Sequence, residues 1–267
     1  MKSIKGITLD DVRSVYDGPE GDLWELIMGE QIHIGGFQSS VMLSEKASIM
    51  EKMHGVDLCC CSGAGMRFLV LFRRVAAMHG VDATDTVVER GRARCKEEGF
   101  DEQITFTLAD ACDSKLADAG ADFVWGEDAW CYVADKPRLI SEAARIVKPH
   151  GTIAFTDWVE GEAALSDAEA ERILRFMKFP NILNLQEYKD LLIRNGCDVF
   201  TAEDTNRFAP SMDLYLNMLN QQLTYDALKI IGFDADQMEA MAEEMLFMQE
   251  MAHAGKLIQG MYVARKK

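Results

Sequence analysis

Asp57 is followed by Leu58-Cys59-Cys60-Cys61-Ser62-Gly63-Ala64-Gly65 and then by an apolar run that starts at Met66. An apolar strand that enters a turn of small residues and continues as a helix offers the free N–H groups of the helix start to a bound group. Gly80-Val81-Asp82 reads as a second strand ending in an acid. A carboxylate at that place accepts hydrogen bonds from both hydroxyls of a ribose. These residue types at this spacing support the binding of a nucleoside-containing ligand at the ends of neighbouring strands.

Two such strand ends must be held side by side, and the rest of the pattern supplies the means. Residues 9–30 read as helical, with Asp10 or Asp11 as cap, apolar positions at Val12, Val15, Leu23, Leu26 and Ile27, and a break at Gly18-Pro19. A loop from Gly29 to Phe37 and a helix at 41–53 lead to a strand at 56–60. A helix at 66–78 follows, whose last residues Val75–Met78 can equally begin the strand that ends at Val81. Helix 85–98 is capped by Asp85 and stopped by Gly99, and strand 104–108, a short helix, strand 121–125, helix 135–147 and strand 152–156 come next. Strands alternating with helices of about ten to fifteen residues imply an α/β fold with a doubly wound, mostly parallel sheet. Beyond it, 160–178 and 185–195 read as helical, 197–202 as a strand, 211–232 and 235–254 as long amphipathic helices, and Ile258–Ala264 as the final strand.

Charge and cysteine usage narrow the function. A net charge of −16 argues against a nucleic-acid partner, because such binding rests on Lys and Arg neutralising phosphates. No apolar run approaches the roughly 20 residues of a membrane span. The start, Met1-Lys2-Ser3-Ile4-Lys5-Gly6, lacks the apolar core of a signal peptide, so a cytoplasmic protein without a membrane partner is expected. Seven cysteines, three of them consecutive, fit a reducing compartment better than a disulfide framework. On a strand, Cys59 and Cys61 share a face, and the chain holds no Cys-x-x-Cys to complete a zinc site, so no metal is expected. Met238, Met241, Met245, Met248 and Met251 recur at helical spacing, a stripe suited to core packing or to a homodimer surface.

The ordered set Asp57…Gly63, Gly80-Val81-Asp82, Asp110-Ala111 and Lys148-Pro149-His150-Gly151 resembles the class I S-adenosylmethionine-dependent methyltransferases over residues 55–157. Met28-Gly29-Glu30-Gln31-Ile32-His33-Ile34-Gly35, Glu127-Asp128-Ala129-Trp130, Phe155-Thr156-Asp157 and the helical insertion at 160–195 are similar to the small-molecule group of the sarcosine/dimethylglycine N-methyltransferase type. The resemblance implies a seven-stranded Rossmann-like sheet carrying helical additions that form a cap. It divides one methyltransferase domain into N-terminal helices and lid loop (1–54), cofactor-binding core (55–157), helical insertion (158–196) and C-terminal helices with the final strand (197–267).

By the same resemblance the cofactor is S-adenosyl-L-methionine. Asp57, Cys59, Cys61, Gly63 and Gly65 would surround its methionine part, Asp82 and Ala83 its ribose, Asp110 and Ala111 its adenine, with Glu127 beside them. Two departures from the family pattern stand out: Cys59 and Cys61 occupy places where it has glycines, and Tyr132 stands where many relatives carry histidine. His33, Asp128 and Tyr132 are the candidate catalytic groups, and Gln31, Trp130, Trp158, Arg207 and Tyr215 the candidate contacts to a small-molecule substrate. Trp130, Tyr132 and Trp158 could hold an ammonium against their rings, or could simply pack the core. The expected reaction is methyl transfer to a small nucleophile, an amine first. The alternatives are a ligand-binding protein that methylates nothing and a different transfer chemistry on the same scaffold, for which the two cysteines in the turn are the support.

Overall fold

A computed structural model describes residues 1–267. Seven strands form one sheet in the order β4-β3-β2-β5-β6-β9-β8. They are β2 (His54–Leu58), β3 (Ala77–Asp82), β4 (Ile104–Leu108), β5 (Ala121–Glu127), β6 (Val147–Glu160), β8 (Cys197–Asp204) and β9 (Leu257–Lys266). The first five run parallel, and β9 lies antiparallel to both neighbours, β6 and β8. Two short strands, β1 (Lys2–Ser3) and β7 (Asn181–Ile182), pair separately. The order reverses at β2, so the C-terminal ends of β2, β3 and β5 open a crevice there.

Helices cover both faces. α4 (Ala64–Arg73), α5 (Asp85–Glu97) and α6 (Lys136–Ile146) complete the parallel half, and α8 (Leu185–Arg194) backs the other end. α1 (Leu9–Tyr16), α2 (Pro19–Met28) and α3 (Gly36–Lys46) precede the sheet, while α7 (Asp167–Met177), α9 (Phe208–Gln221), α10 (Thr224–Ile230) and α11 (Ala235–His253) belong to the later additions. No helix is long and apolar enough to cross a membrane.

Local chemistry explains several boundaries that the sequence reading placed differently. The cap of α1 is Thr8, whose hydroxyl accepts the Asp11 N–H while the Asp11 carboxylate accepts the Thr8 N–H, a reciprocal box that outcompetes a lone Asp10. α3 starts at Gly36 and ends at Lys46 rather than spanning 41–53, because Gly35 and Gly36 both take left-handed φ and turn the chain earlier. α4 stops at Arg73, since Arg74 adopts φ +55° and closes the helix, which frees Ala77 for β3. No helix forms between β4 and β5. The expected helix at 211–232 is two, α9 and α10, broken at Gln222–Leu223.

The methionine stripe divides. Met245, Met248 and Met251 are buried in the apolar cluster of the cap with Trp24, Ile27, Trp158, Phe179 and Phe208, whereas Met238 and Met241 pack at its margin with Leu23 and Ala227.

Candidate active site

The turn after β2 is where the departure from glycine is felt. Cys59 and Cys61 adopt φ +62° and +48°, and Gly63 +79°. Left-handed backbone costs an L-residue roughly 1–2 kcal/mol, so two cysteines here are held against their preference. Backbone bonds supply the hold: the N–H groups of Cys59 and Cys60 both donate to Val81 O, at 2.8 and 3.1 Å, and the Cys61 N–H donates to Asp82 Oδ2 at 3.0 Å. Cys60, between them, points away, and its sulfur sits 2.5 Å from where a Cβ on Gly80 would lie. The cysteines are therefore off the strand, and the face-sharing argument for a strand does not apply to them.

In front of this turn lies a cavity of about 280 Å³. Cys59, Cys61, Asp82, Ala83, Asp110 and Ala111 line its floor; the segment 129–135 forms one wall, and Thr8, Val12 and Tyr16 of the α1 region roof it. Arg13 ties that roof down by donating from Nε to Ala83 O at 2.9 Å. Burial pushes the Cys61 thiol up to about 12, with the Asp82 charge adding to the effect. Both cavity cysteines are thus small, neutral side chains.

The residues present suit an adenosyl sulfonium. Each Asp82 oxygen already accepts one backbone N–H, from Cys61 and from Thr84, and keeps a lone pair for a ribose hydroxyl. Asp110 accepts the Cys112 N–H at 2.8 Å, which orients it, while the Ala111 N–H makes no hydrogen bond within the protein and is free for a ring nitrogen. Asp57, Asp82 and Glu127 gather near the start of α4, and Asp57 is buried without any hydrogen-bond donor. Burial, then the Glu127 and Asp82 charges, push its carboxyl well above the usual range. Such an uncompensated acidic group is relieved by a cation, and the cofactor carries two, its sulfonium and its ammonium.

Other expected residues lie behind this cavity, in a network that fastens the lid loop. His33 is buried, with Nε2 3.2 Å from Ser40 Oγ and 3.4 Å from Glu127 Oε1. Ser40 donates to Glu127 at 2.7 Å and receives the Gln31 amide at 3.1 Å. Asp128, at φ +50°, accepts the Ile34 N–H at 2.7 Å and the Gln259 amide at 2.8 and 3.0 Å. Gln259 also donates to Ile34 O and accepts the Thr205 hydroxyl. Gly35 takes φ +83°, which favours glycine, and Arg207 packs its Cδ 2.8 Å from the position a Cβ there would occupy. Tyr215 is buried in the same cap cluster as Phe208 and Met212.

The structure therefore corrects part of the sequence reading. Among the catalytic candidates only Tyr132 lines the cavity; His33 and Asp128 are spent on holding the lid. Trp130 is fully buried, stacked on Phe155 at 4.0 Å with its N–H donated to Leu58 O, so its face is closed to a cation. Trp158 meets Phe179 and Phe208 edge to face and is likewise core. Gln31, Arg207 and Tyr215 touch the lid loop and cap instead of the cavity.

The missed residue is Tyr16. Its ring meets Tyr132 edge to face at 5.7 Å, and Tyr132 meets Phe179 at 4.8 Å. Its helical position beside Val12 and Val15 gave it the look of ordinary packing. Burial pushes both phenols well above their usual values, so each stays protonated.

Residues 56–155 match the family model described as a methyltransferase domain. The chain is 26% identical over 216 residues to the 27-O-demethylrifamycin SV methyltransferase of Amycolatopsis mediterranei, covering 75% of this chain and 78% of that protein. It is 26% identical over 204 residues to the dimethylglycine N-methyltransferase of Parasynechococcus marenigrum, covering 71% and 72%. Its fold matches that of Haemonchus contortus phosphoethanolamine N-methyltransferase 2, solved with phosphomonomethylethanolamine and S-adenosylhomocysteine, with a TM-score of 0.86 at 19% identity over 98% of this chain and 61% of that one. Strand order, acidic cavity and relatives agree: the chain is an enzyme with a class I methyltransferase fold that uses S-adenosylmethionine, and the sarcosine/dimethylglycine N-methyltransferases are among the proteins it is similar to.

Proposed function

We propose that this enzyme methylates a small-molecule amine. The observation that carries the reading is that no imidazole lines the cavity and that its two phenols stay protonated. The Tyr132 and Tyr16 phenols are held protonated, while His33 and Asp128 are hydrogen-bonded into the lid network away from the cavity. A hydroxyl acceptor must lose its proton as it attacks and so calls for such a base. An amine gives up its proton to water before it enters and then attacks through its lone pair, so the attack itself calls for no base; a secondary amine loses its remaining proton to water after transfer.

Charge supports the same class. Asp82, Asp110 and Asp135 line the cavity, and its one basic lining residue, Arg138, is exposed. An acceptor bringing a second anionic group would meet these acids without a buried cation to receive it. When bound, the cofactor supplies an electrophilic methyl on sulfur. The chain's own contribution is then to exclude water with Tyr16 and Tyr132 and to hold donor and acceptor in line, a source of several kcal/mol in such transfers.

The test is incubation with S-adenosylmethionine and matched acceptors that share one carbon skeleton but carry a tertiary amine, a secondary amine, a phenol or a thiol. A mass gain of one methyl on an amine is expected. Methylation confined to the phenol would refute the reading and show that a base reaches the cavity after all.

A further inference from the structure

Lys136 and Asp157 are both buried and stand outside everything assigned so far. Between them runs the turn that carries Tyr132. Asp157, on β6, accepts the Cys131 N–H through Oδ1 at 2.9 Å, and its Oδ2 accepts the Tyr188 hydroxyl of α8. Lys136, at the start of α6, donates from Nζ to Cys131 O at 3.2 Å and to Val133 O at 2.5 Å. Around Tyr132, the Trp130–Cys131 peptide is thus held by a carboxylate, and the Cys131–Tyr132 and Val133–Ala134 peptides by an ammonium.

The expense of this arrangement points to a purpose. A buried lysine and a buried aspartate each lose several kcal/mol of hydration, and no direct ion pair within 4 Å joins these two. Neutral residues could fill the same space at lower cost. What the charges add is directional grip on a short turn whose own backbone bonds are Tyr132 N–H to Ala129 O and Val133 N–H to Trp130 O, beside the neutral Asn181 amide on Ala134 O at 2.8 Å. Five residues of that segment, Ala129, Tyr132, Val133, Ala134 and Asp135, are the wall of the cofactor cavity.

We propose that Lys136 and Asp157 are positioning residues, a buried two-sided clamp on the peptide groups around Tyr132 that sets the wall of the cofactor cavity. The clamp responds to pH. Burial lifts the Asp157 carboxyl to about 6, against the pull of the Lys136 charge and the Tyr188 hydroxyl. The groups that face it are Lys136 from α6, Tyr188 from α8, Tyr262 from β9, and Asp128 and Cys131 from the segment after β5. Protonation weakens its acceptance of the Cys131 N–H, so the wall loosens as pH falls through that value.

The experiment measures S-adenosylhomocysteine affinity by calorimetry from pH 5 to 8 for the full chain and for Tyr188→Phe. Removing the hydroxyl withdraws a donor that favours the charged carboxylate, so the pH at which affinity falls should move up by about half a unit or more. Asp82 and Asp57 are untouched in both proteins, and their titration cancels in the comparison. Superimposable profiles would overturn the clamp, since a merely structural tyrosine has no reason to move the midpoint. Should Tyr188→Phe fail to fold, Asp157→Asn is measured at pH 7.5. It keeps an acceptor for the Cys131 N–H but loses the charge, and a roughly fivefold weaker affinity with a flattened profile is expected. Unchanged affinity there would also overturn it.

Discussion

Two loops meet near Glu127, and they are built on opposite principles. The turn at 59–63 is fixed through its own backbone, by three N–H groups donated to Val81 O and to the Asp82 carboxylate. The lid loop at 31–36 is fixed by side chains of distant elements, with Asp128 and Gln259 gripping the Ile34 peptide and Ser40 joining Gln31 to Glu127. The first tolerates unfavourable residues because β2, which leads into it, and β3, which bonds it, dictate its path. The second depends on a handful of buried polar groups, each of which can be lost singly. A rigid floor and a releasable lid is the arrangement expected of a site that must admit and discharge a cofactor.

The sharpest way to break that contrast is Asp82→Ala. It removes the acceptor for the Cys61 N–H, which anchors the turn, together with the ribose contact. We expect S-adenosylhomocysteine affinity to fall by about a hundredfold, about 2.7 kcal/mol, in calorimetry. A loss below about threefold would mean that the turn holds its shape without that carboxylate.

Gln259→Leu attacks the lid alone. Cofactor dissociation should quicken by roughly tenfold, and amide exchange over 31–36 should rise while exchange in β2 and β3 stays as it was. Protection of the lid equal to that of the parent would show that apolar packing, and not the tether, keeps it closed.

Smaller effects test the backbone. Gly35→Ala places a side chain at φ +83° against the Arg207 stem. Because that stem can shift, the loss in urea unfolding should be about 1–2 kcal/mol, mostly from the backbone conformation. Cys61→Gly runs the other way. Relief of the left-handed strain, less the entropy of a new glycine, should stabilise the protein by roughly 0.5–1 kcal/mol with no loss of cofactor affinity. A destabilised variant would mean that the thiol packs better than the strain costs.

The same contrast explains what could be read from the chain. The places of Asp57, Asp82 and Asp110 in the fold were legible because apolar runs fix where strands end, and an acid at a strand end has few places to go. The turn residues followed from adjacency. The lid network was not legible, since Gln259 meets Ile34 across most of the chain and nothing in either residue type announces the other. Tyr16 was missed because its spacing from Val12 and Val15 is that of ordinary helix packing. Trp130 and Trp158 were misplaced because an aromatic beyond a strand end can face a ligand or fold back beneath it. Only the Phe155, Phe179 and Phe208 rings decide which.

The position of β9 has a consequence for how the molecule comes together. It is the final strand in the chain, yet it lies between β6 and β8, so neither has its partner until Leu257–Lys266 arrive. The same strand delivers Gln259 to the lid. During synthesis, the nucleoside-binding floor can assemble well before there is anything to latch over it. A nascent or truncated chain that ends before Leu257 would show β6 and β8 as open edges ready to pair with other chains, and it would bind its cofactor without being able to shut it in.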